Sequence, residues 1–213
     1  MDEEPALWQR LWAYAETQDL HLDATGQSKI QTYSRTLLRF RNAVSLVRFE
    51  GLEELLFRHV ADSLAWAAQV GHGASVVDVG TGAGLPGLVA GAARPDLTVD
   101  LVEPRERRVA FLREAVRAMQ VQNVRVLQFR VEGLNRQEQY DEAVSRATFA
   151  PNAWKRLGQG LIRGQGVLWA MLSRDQADRL VAEDAALPEE FVHYVLPDDR
   201  RRSLWKIGHP HKA

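Results

Sequence analysis

The sequence predicts an α/β fold: a mostly parallel sheet with an antiparallel last strand, carrying an N-terminal helical cap. Three observations predict it. Up to about residue 70 the apolar residues recur at helical spacing, and from about residue 74 short apolar runs alternate with amphipathic stretches. The last two runs are joined by a short connection, which fits antiparallel neighbours. Short, near-continuous apolar runs belong to strands buried on both faces, the situation in a parallel sheet covered by helices. No linker composition separates the two parts, so the cap (1–70) is expected to pack on the sheet domain (71–213).

Each element has its own signal. Leu7, Trp8, Leu11, Trp12 and Ala15, then Tyr33, Leu37, Phe40 and Val44, then Leu52, Leu55, Leu56, Val60 and Leu64 mark the cap helices. Trp8 and Trp12, at helical spacing, read as core. The first strand covers 76–79. A helix starts at Pro86, whose fixed φ suits a first helical turn, and stops before Pro95. The second strand is 98–102. The helix over 105–119 lines up Val109, Leu112, Val116 and Met119 on one face, and 124–129 alternates as a third strand. The fourth strand is 142–145. The glycine-punctuated LGQGLIRGQG reads as a connection into a fifth strand at 167–172, and a helix follows over 174–186. Strands at 191–196 and 203–207 flank the turn PDDRRR.

Composition narrows the chemistry. With 213 residues, 46% of them hydrophobic, the chain can bury one substantial core. The absence of cysteine excludes disulfides, thiolate zinc sites, iron–sulfur clusters and a cysteine nucleophile, and no metal site is expected. No run approaches a membrane span and the first residues are acidic, so a cytoplasmic location with no membrane partner is expected; the chain is taken as a monomer, on which the sequence itself is silent. The net charge of −1 gives no general attraction to nucleic acid, so any basic footprint must be local. Only Lys29, Lys155, Lys206 and Lys212 among the 27 basic residues are lysines; the rest are arginines, suited to bidentate contact with phosphates and bases.

The strongest chemical signal is VVDVGTGAGLPG, from Val76 to Gly87. In an open parallel sheet a glycine turn after the first strand lets backbone approach a ligand at the strand ends. Gly80, Thr81, Gly82, Gly84 and Leu85 therefore form the candidate pocket. No G-x-x-x-x-G-K-[ST] occurs, which excludes a P-loop. Glu103, ending the second strand, stands where an adenosine ribose would need an acceptor, so a dinucleotide-dependent oxidoreductase stays open. A plain tight turn does too. The spacing, however, puts Leu85 where a strict dinucleotide fingerprint has its third glycine, and Asp78 stands two residues before Gly80. A carboxylate here opposes a pyrophosphate and suits an ammonium or sulfonium cation, both of which S-adenosyl-L-methionine carries.

Further motifs follow in order: RHVADSL at 58–64, RVAFLRE at 108–114, FRVEG at 129–133 and YDEAVSRA at 140–147. With the glycine loop, they resemble the RsmG/GidB family. The resemblance implies a class I (Rossmann-like) methyltransferase fold that uses S-adenosyl-L-methionine. It also implies methylation at N7 of a guanine in the decoding-region loop of small-subunit ribosomal RNA, as free RNA or as a ribosomal particle. By position it makes Gly80 and Leu85 cofactor contacts, Val131 and Glu132 contacts near the adenine, and Arg146 a residue close to donor and substrate. Arg130 and Arg146 match basic positions of the family's active-site face.

Three departures stand out. The acid after the second strand is Glu103 followed by Pro104, where the family usually has Asp-Ser. Ser45-Leu46-Val47 replaces an Asn-Leu-Thr. Met171-Leu172-Ser173 replaces Leu-Lys-Gly, with Arg174 two residues on as a substitute charge. The missing lysine at Leu172 is the one feature that favours a nucleoside-binding regulatory module without turnover.

Guanine N7 carries a free lone pair at neutral pH, so no general base is sought. Arg146 and Arg130 are read as orienting the base through O6 or a phosphate. His59 and Asp62 are expected to form a hydrogen-bonded pair that fixes their helix to the sheet domain. Arg105, Arg107, Arg108 and Arg200 to Arg202 are candidate phosphate contacts or solvated charge.

Overall fold

The computed structural model describes residues 3–41, 47–131, 140–183 and 190–208. Val44, Ser45, Leu46 and Glu132 lie outside them, as does the end of the helix expected over 174–186. The strands are β1 (Ser75–Val79), β2 (Thr98–Val102), β3 (Val124–Leu127), β4 (Tyr140–Arg146), β5 (Ile162–Ser173), β6 (Glu190–Val195) and β7 (Arg201–Gly208). They form a seven-stranded sheet in the order β3-β2-β1-β4-β5-β7-β6. β1 to β5 pair in parallel, and β7 runs against both β5 and β6. A mostly parallel sheet with an antiparallel last strand is thus what forms. The chain steps outward from β1 to β3 and returns to β4 on the other side, so the topological switch point lies between β1 and β4.

The helices are α1 (Glu3–Thr17), α2 (Ala24–Phe40), α3 (Leu52–Glu54), α4 (Ala61–Ala67), α5 (Gly87–Ala93), α6 (Glu106–Met119), α7 (Pro151–Gly158) and α8 (Arg174–Glu183). α2 starts where the Asp23 carboxylate accepts the Gly26 N–H at 2.7 Å, satisfying a donor the helix itself leaves free. Strand alternation sorts side chains between two cores. Val76, Val144, Trp169 and Met171 face α5, α6 and the N-terminal helices, while Val77, Val79, Ala143, Leu168 and Leu172 face α7 and α8. Every residue of α5 is buried, because α2 and α4 cover the side that the sheet does not. The N-terminal helices therefore share one continuous core with the sheet. Trp8 is core and stacks at 5.4 Å on the half-buried Trp12.

Three elements differ from the sequence expectation. The stretch before β5 contains α7, with Pro151 in its first turn and buried Trp154 anchoring it. Glycine there marks a close approach and not a loop: a side chain on Gly158 would collide with Leu168. β5 begins at Ile162, paired with Tyr140 ahead of a bulge that re-registers Val167 opposite Glu142. The third cap helix is interrupted by a π-helical turn, Leu55–Val60.

Candidate functional site

At the switch point a cleft of about 820 Å³ opens at the carboxyl ends of β1 and β4. One wall is the loop after β1. Gly80 and Thr81 donate their N–H groups to the Val102 carbonyl at 2.9 and 3.2 Å, which ties the loop to the end of β2. Gly80, Gly82 and Gly84 have φ of 72°, 59° and 91°, the left-handed region where glycine carries no penalty. At Gly80 the requirement is also steric, since a side chain would collide with Thr148. The Tyr33 hydroxyl of α2 donates to the Ala83 carbonyl at 2.9 Å, so the helical layer holds the loop from behind.

Gly80, Thr81, Gly82 and Leu85 line the cleft, and Arg146 joins them from the end of β4. Asp78, Gly84 and Glu103 stand behind the loop. Asp78 is fully buried and points toward α5, where one carboxylate oxygen accepts the Thr81 hydroxyl at 2.6 Å and the Gly87 N–H at 2.8 Å. Its other oxygen, Oδ1, has no partner among the described residues. Burial, opposed by those two donors, pushes the Asp78 carboxyl up to about 6. Glu103 accepts from Gly82 N at 3.2 Å and Arg105 N at 3.0 Å, with Arg108 at 3.5 Å, so its oxygens are engaged within the protein. Val131 is buried and Arg130 is exposed beyond β3; neither lines the cleft, because β3 is the sheet's far edge. Glu132 lies outside the described residues.

The opposite wall is a polar cluster. The π-helical turn brings Arg58 and His59 to the cleft, a placement that sequence periodicity does not reveal because the extra residue per turn leaves no compositional mark. His59 and Asp62 do not bond each other as expected. Asp62, 1% exposed, accepts the Tyr194 hydroxyl at 2.7 Å and a two-pronged contact from Arg202 at 3.0 and 3.1 Å. These contacts tie α4 to the β6–β7 hairpin, so Asp62 does fix its helix, but through an arginine 140 positions away. His59 Nδ1 lies 3.4 Å from Arg146 Nη1, and Nε2 lies 3.3 Å from the Arg48 carbonyl. A guanidinium only donates and a carbonyl only accepts, so the ring is neutral with its proton on Nε2. Burial and the Arg146 charge hold its pKa down at about 4, which agrees.

The cleft is basic. Arg58, Arg108, Arg146, Arg174 and Arg200 to Arg202 line it, against Asp62, Asp175 and Asp178. Of the two arginine clusters in the sequence, Arg200 to Arg202 arrive intact, and Arg108 arrives without Arg105 or Arg107. Leu172, where the resemblance places a lysine, is in the core facing α8, while Arg174 lines the cleft paired with Asp178 at 2.8 Å. The described residues contain no cluster able to hold a metal ion, and none of their helices is long and apolar enough to cross a membrane.

Residues 26–199 match the GidB family, described as rRNA small subunit methyltransferase G. A relative bearing that name from Desulfotalea psychrophila is 35% identical over 189 residues, covering 84% of this chain and 87% of its own. Another from Hydrogenovibrio crunogenus is 30% identical over 200 residues, covering 93% and 92%. Among solved structures, a SAM-dependent methyltransferase from Aquifex aeolicus superposes with a TM-score of 0.55 at 17% identity, covering 74% of this chain and 93% of its own. That likeness shows the fold.

Proposed function

Because the chain belongs to the GidB family of small-subunit ribosomal RNA methyltransferases, we propose that it methylates N7 of a guanine in that RNA from S-adenosyl-L-methionine. The observation that carries the reading is the meeting at one switch point of the glycine loop and Arg146. The family sets aside the dinucleotide oxidoreductase.

The residues fit the donor. The cleft is large enough for a nucleoside and an amino acid, and Gly80 and Gly82 bring backbone to its wall. Behind it Asp78 keeps a buried oxygen unpartnered, which favours a cation in front of the loop. Gly80, Thr81, Gly82 and Leu85 would hold the donor, with Asp78, Gly84 and Glu103 setting the loop's shape. Val131 and Glu132 belong to the proposed adenine side, and Arg130, off the cleft lining, is kept as a proposed substrate-orienting residue. When bound, S-adenosyl-L-methionine supplies a methyl group on a sulfonium.

The chain has no proton to move, because guanine N7 is already a free acceptor. Its task is orientation. Arg146 can donate to guanine O6, turning N7 toward the loop, while the arginines at the rim take backbone phosphates and position without reading sequence. The reading takes the chain as a cytoplasmic monomer acting on free RNA or on the small-subunit particle. It is tested by incubating the protein with labelled S-adenosyl-L-methionine and small- or large-subunit particles from cells lacking the modification. Label confined to the small-subunit RNA is expected. Donor binding without label in either would favour the regulatory module.

A further inference from the structure

We propose that His59, Asp62 and Arg202 are positioning residues, which hold Arg146 at the cleft wall with most of its donors uncommitted so that it can bind the acceptor base. The proposal rests on the function proposed above.

Arg146 is 14% exposed at its side chain and sits at the last position of β4, lining the same cleft as the glycine loop. A buried guanidinium is ordinarily locked by short bonds to carboxylates. Here it is not. The nearest carboxylate, Asp62, gives its short bonds to Arg202 and Tyr194 and leaves Arg146 at 3.6 Å. The second neighbour, His59, is neutral and lies at 3.4 Å. Both contacts use the same Arg146 nitrogen, Nη1, and both are longer than an ordinary hydrogen bond.

Arg202 thus does more than brace the hairpin. By occupying Asp62 it prevents a tight Asp62–Arg146 fork, which would tie up the cation facing the substrate. His59 completes the arrangement as an acceptor carrying no charge of its own. The backbone agrees: Ala147, the next residue, has φ 55°, a conformation that disfavours a side chain and turns the chain sharply after Arg146. The turn lets the Thr148 hydroxyl donate to the Gly80 carbonyl at 3.1 Å, joining the loop after β4 to the loop after β1. Three distant segments, the π-helical turn with α4, the end of β4 and the C-terminal hairpin, therefore set the place of one guanidinium.

The test is a double-mutant cycle with the full-length protein, measuring methyl transfer to small-subunit RNA. His59→Leu removes the acceptor without touching the Asp62–Arg202–Tyr194 strut, and His59→Gln keeps one. His59→Leu should lower kcat/KM by roughly 10- to 100-fold, the range for a hydrogen bond to a charged group, with S-adenosylhomocysteine affinity unchanged. His59→Gln should recover most of the loss. In an Arg146→Ala background, His59→Leu should cost nothing more. Arg202→Gln, which frees Asp62 to close on Arg146, should cost more activity when Arg146 is present than in the Arg146→Ala background. Additive losses, or failure of His59→Gln to recover activity while both variants stay folded, would overturn the proposal. A wild-type protein that transfers no label would instead overturn the function on which it rests.

Discussion

Burial lifts the Asp78 carboxyl to about 6 from an ordinary 3.8, with the Thr81 hydroxyl and the Gly87 N–H pulling the other way. The sign of its effects follows. A raised folded pKa means that the fold prefers the protonated acid, so relative to Asp78→Asn the wild type should gain stability as pH falls from about 6 to about 4, by about 3 kcal/mol. Urea melts of both proteins across that range check this. Donor affinity should move oppositely: the carboxylate attracts a cation only when ionised, so S-adenosylhomocysteine binding should weaken as pH falls through about 6. Asp78→Asn should bind about tenfold more weakly at neutral pH and lose that pH step. His59 works the other way on stability. Its folded pKa of about 4 lies below the ordinary 6.5, so its contribution is present above 6.5 and lost as pH falls toward 4. The sequence marked Asp78 through its spacing to Gly80 but not its direction, because β1 is buried on both faces and alternation there does not tell cleft from core.

The elements that build the site were legible to different degrees. Strand β1 and its glycine turn are visible as an apolar run breaking into glycines, and each glycine makes a checkable demand. Gly84 has φ 91°, and a Cβ there would lie 2.9 Å from that of Leu88. Gly84→Ala should lower Tm by roughly 4–8 °C in a thermal melt, through strain of about 2 kcal/mol. The π-helical turn that delivers His59 was illegible, since Leu52, Leu55, Leu56, Val60 and Leu64 fit an ordinary helix equally well. Helix α7 had a signal in Pro151 and Trp154, masked by the neighbouring glycines, of which Gly158 is required by its packing against Leu168. The partner of Asp62 had none: Arg202 lies across the sheet, and no local pattern couples α4 to the hairpin.

Over the whole molecule, a net charge of −1 conceals a cleft lined by seven arginines and three aspartates. Composition alone cannot show this, because it counts charges without saying which of them the fold brings to one cleft. RNA binding should therefore weaken steeply with salt, and Arg201→Ala should weaken it across sequences and flatten the slope of log K against log salt by about 0.7 for a contact to a single strand. A titration at several salt concentrations measures both. The central claim is that the glycine loop and Arg146 bring a methyl donor to guanine N7, and it is tested most directly by where the methyl group lands. Small-subunit RNA from cells lacking the modification would be incubated with the protein and donor, then cleaved at N7-methylguanine by borohydride reduction and aniline. Cleavage at a single guanine of the decoding-region loop, strongly reduced but still measurable with Arg146→Ala, is the predicted result; methyl transfer with no cleavage at any guanine would contradict it.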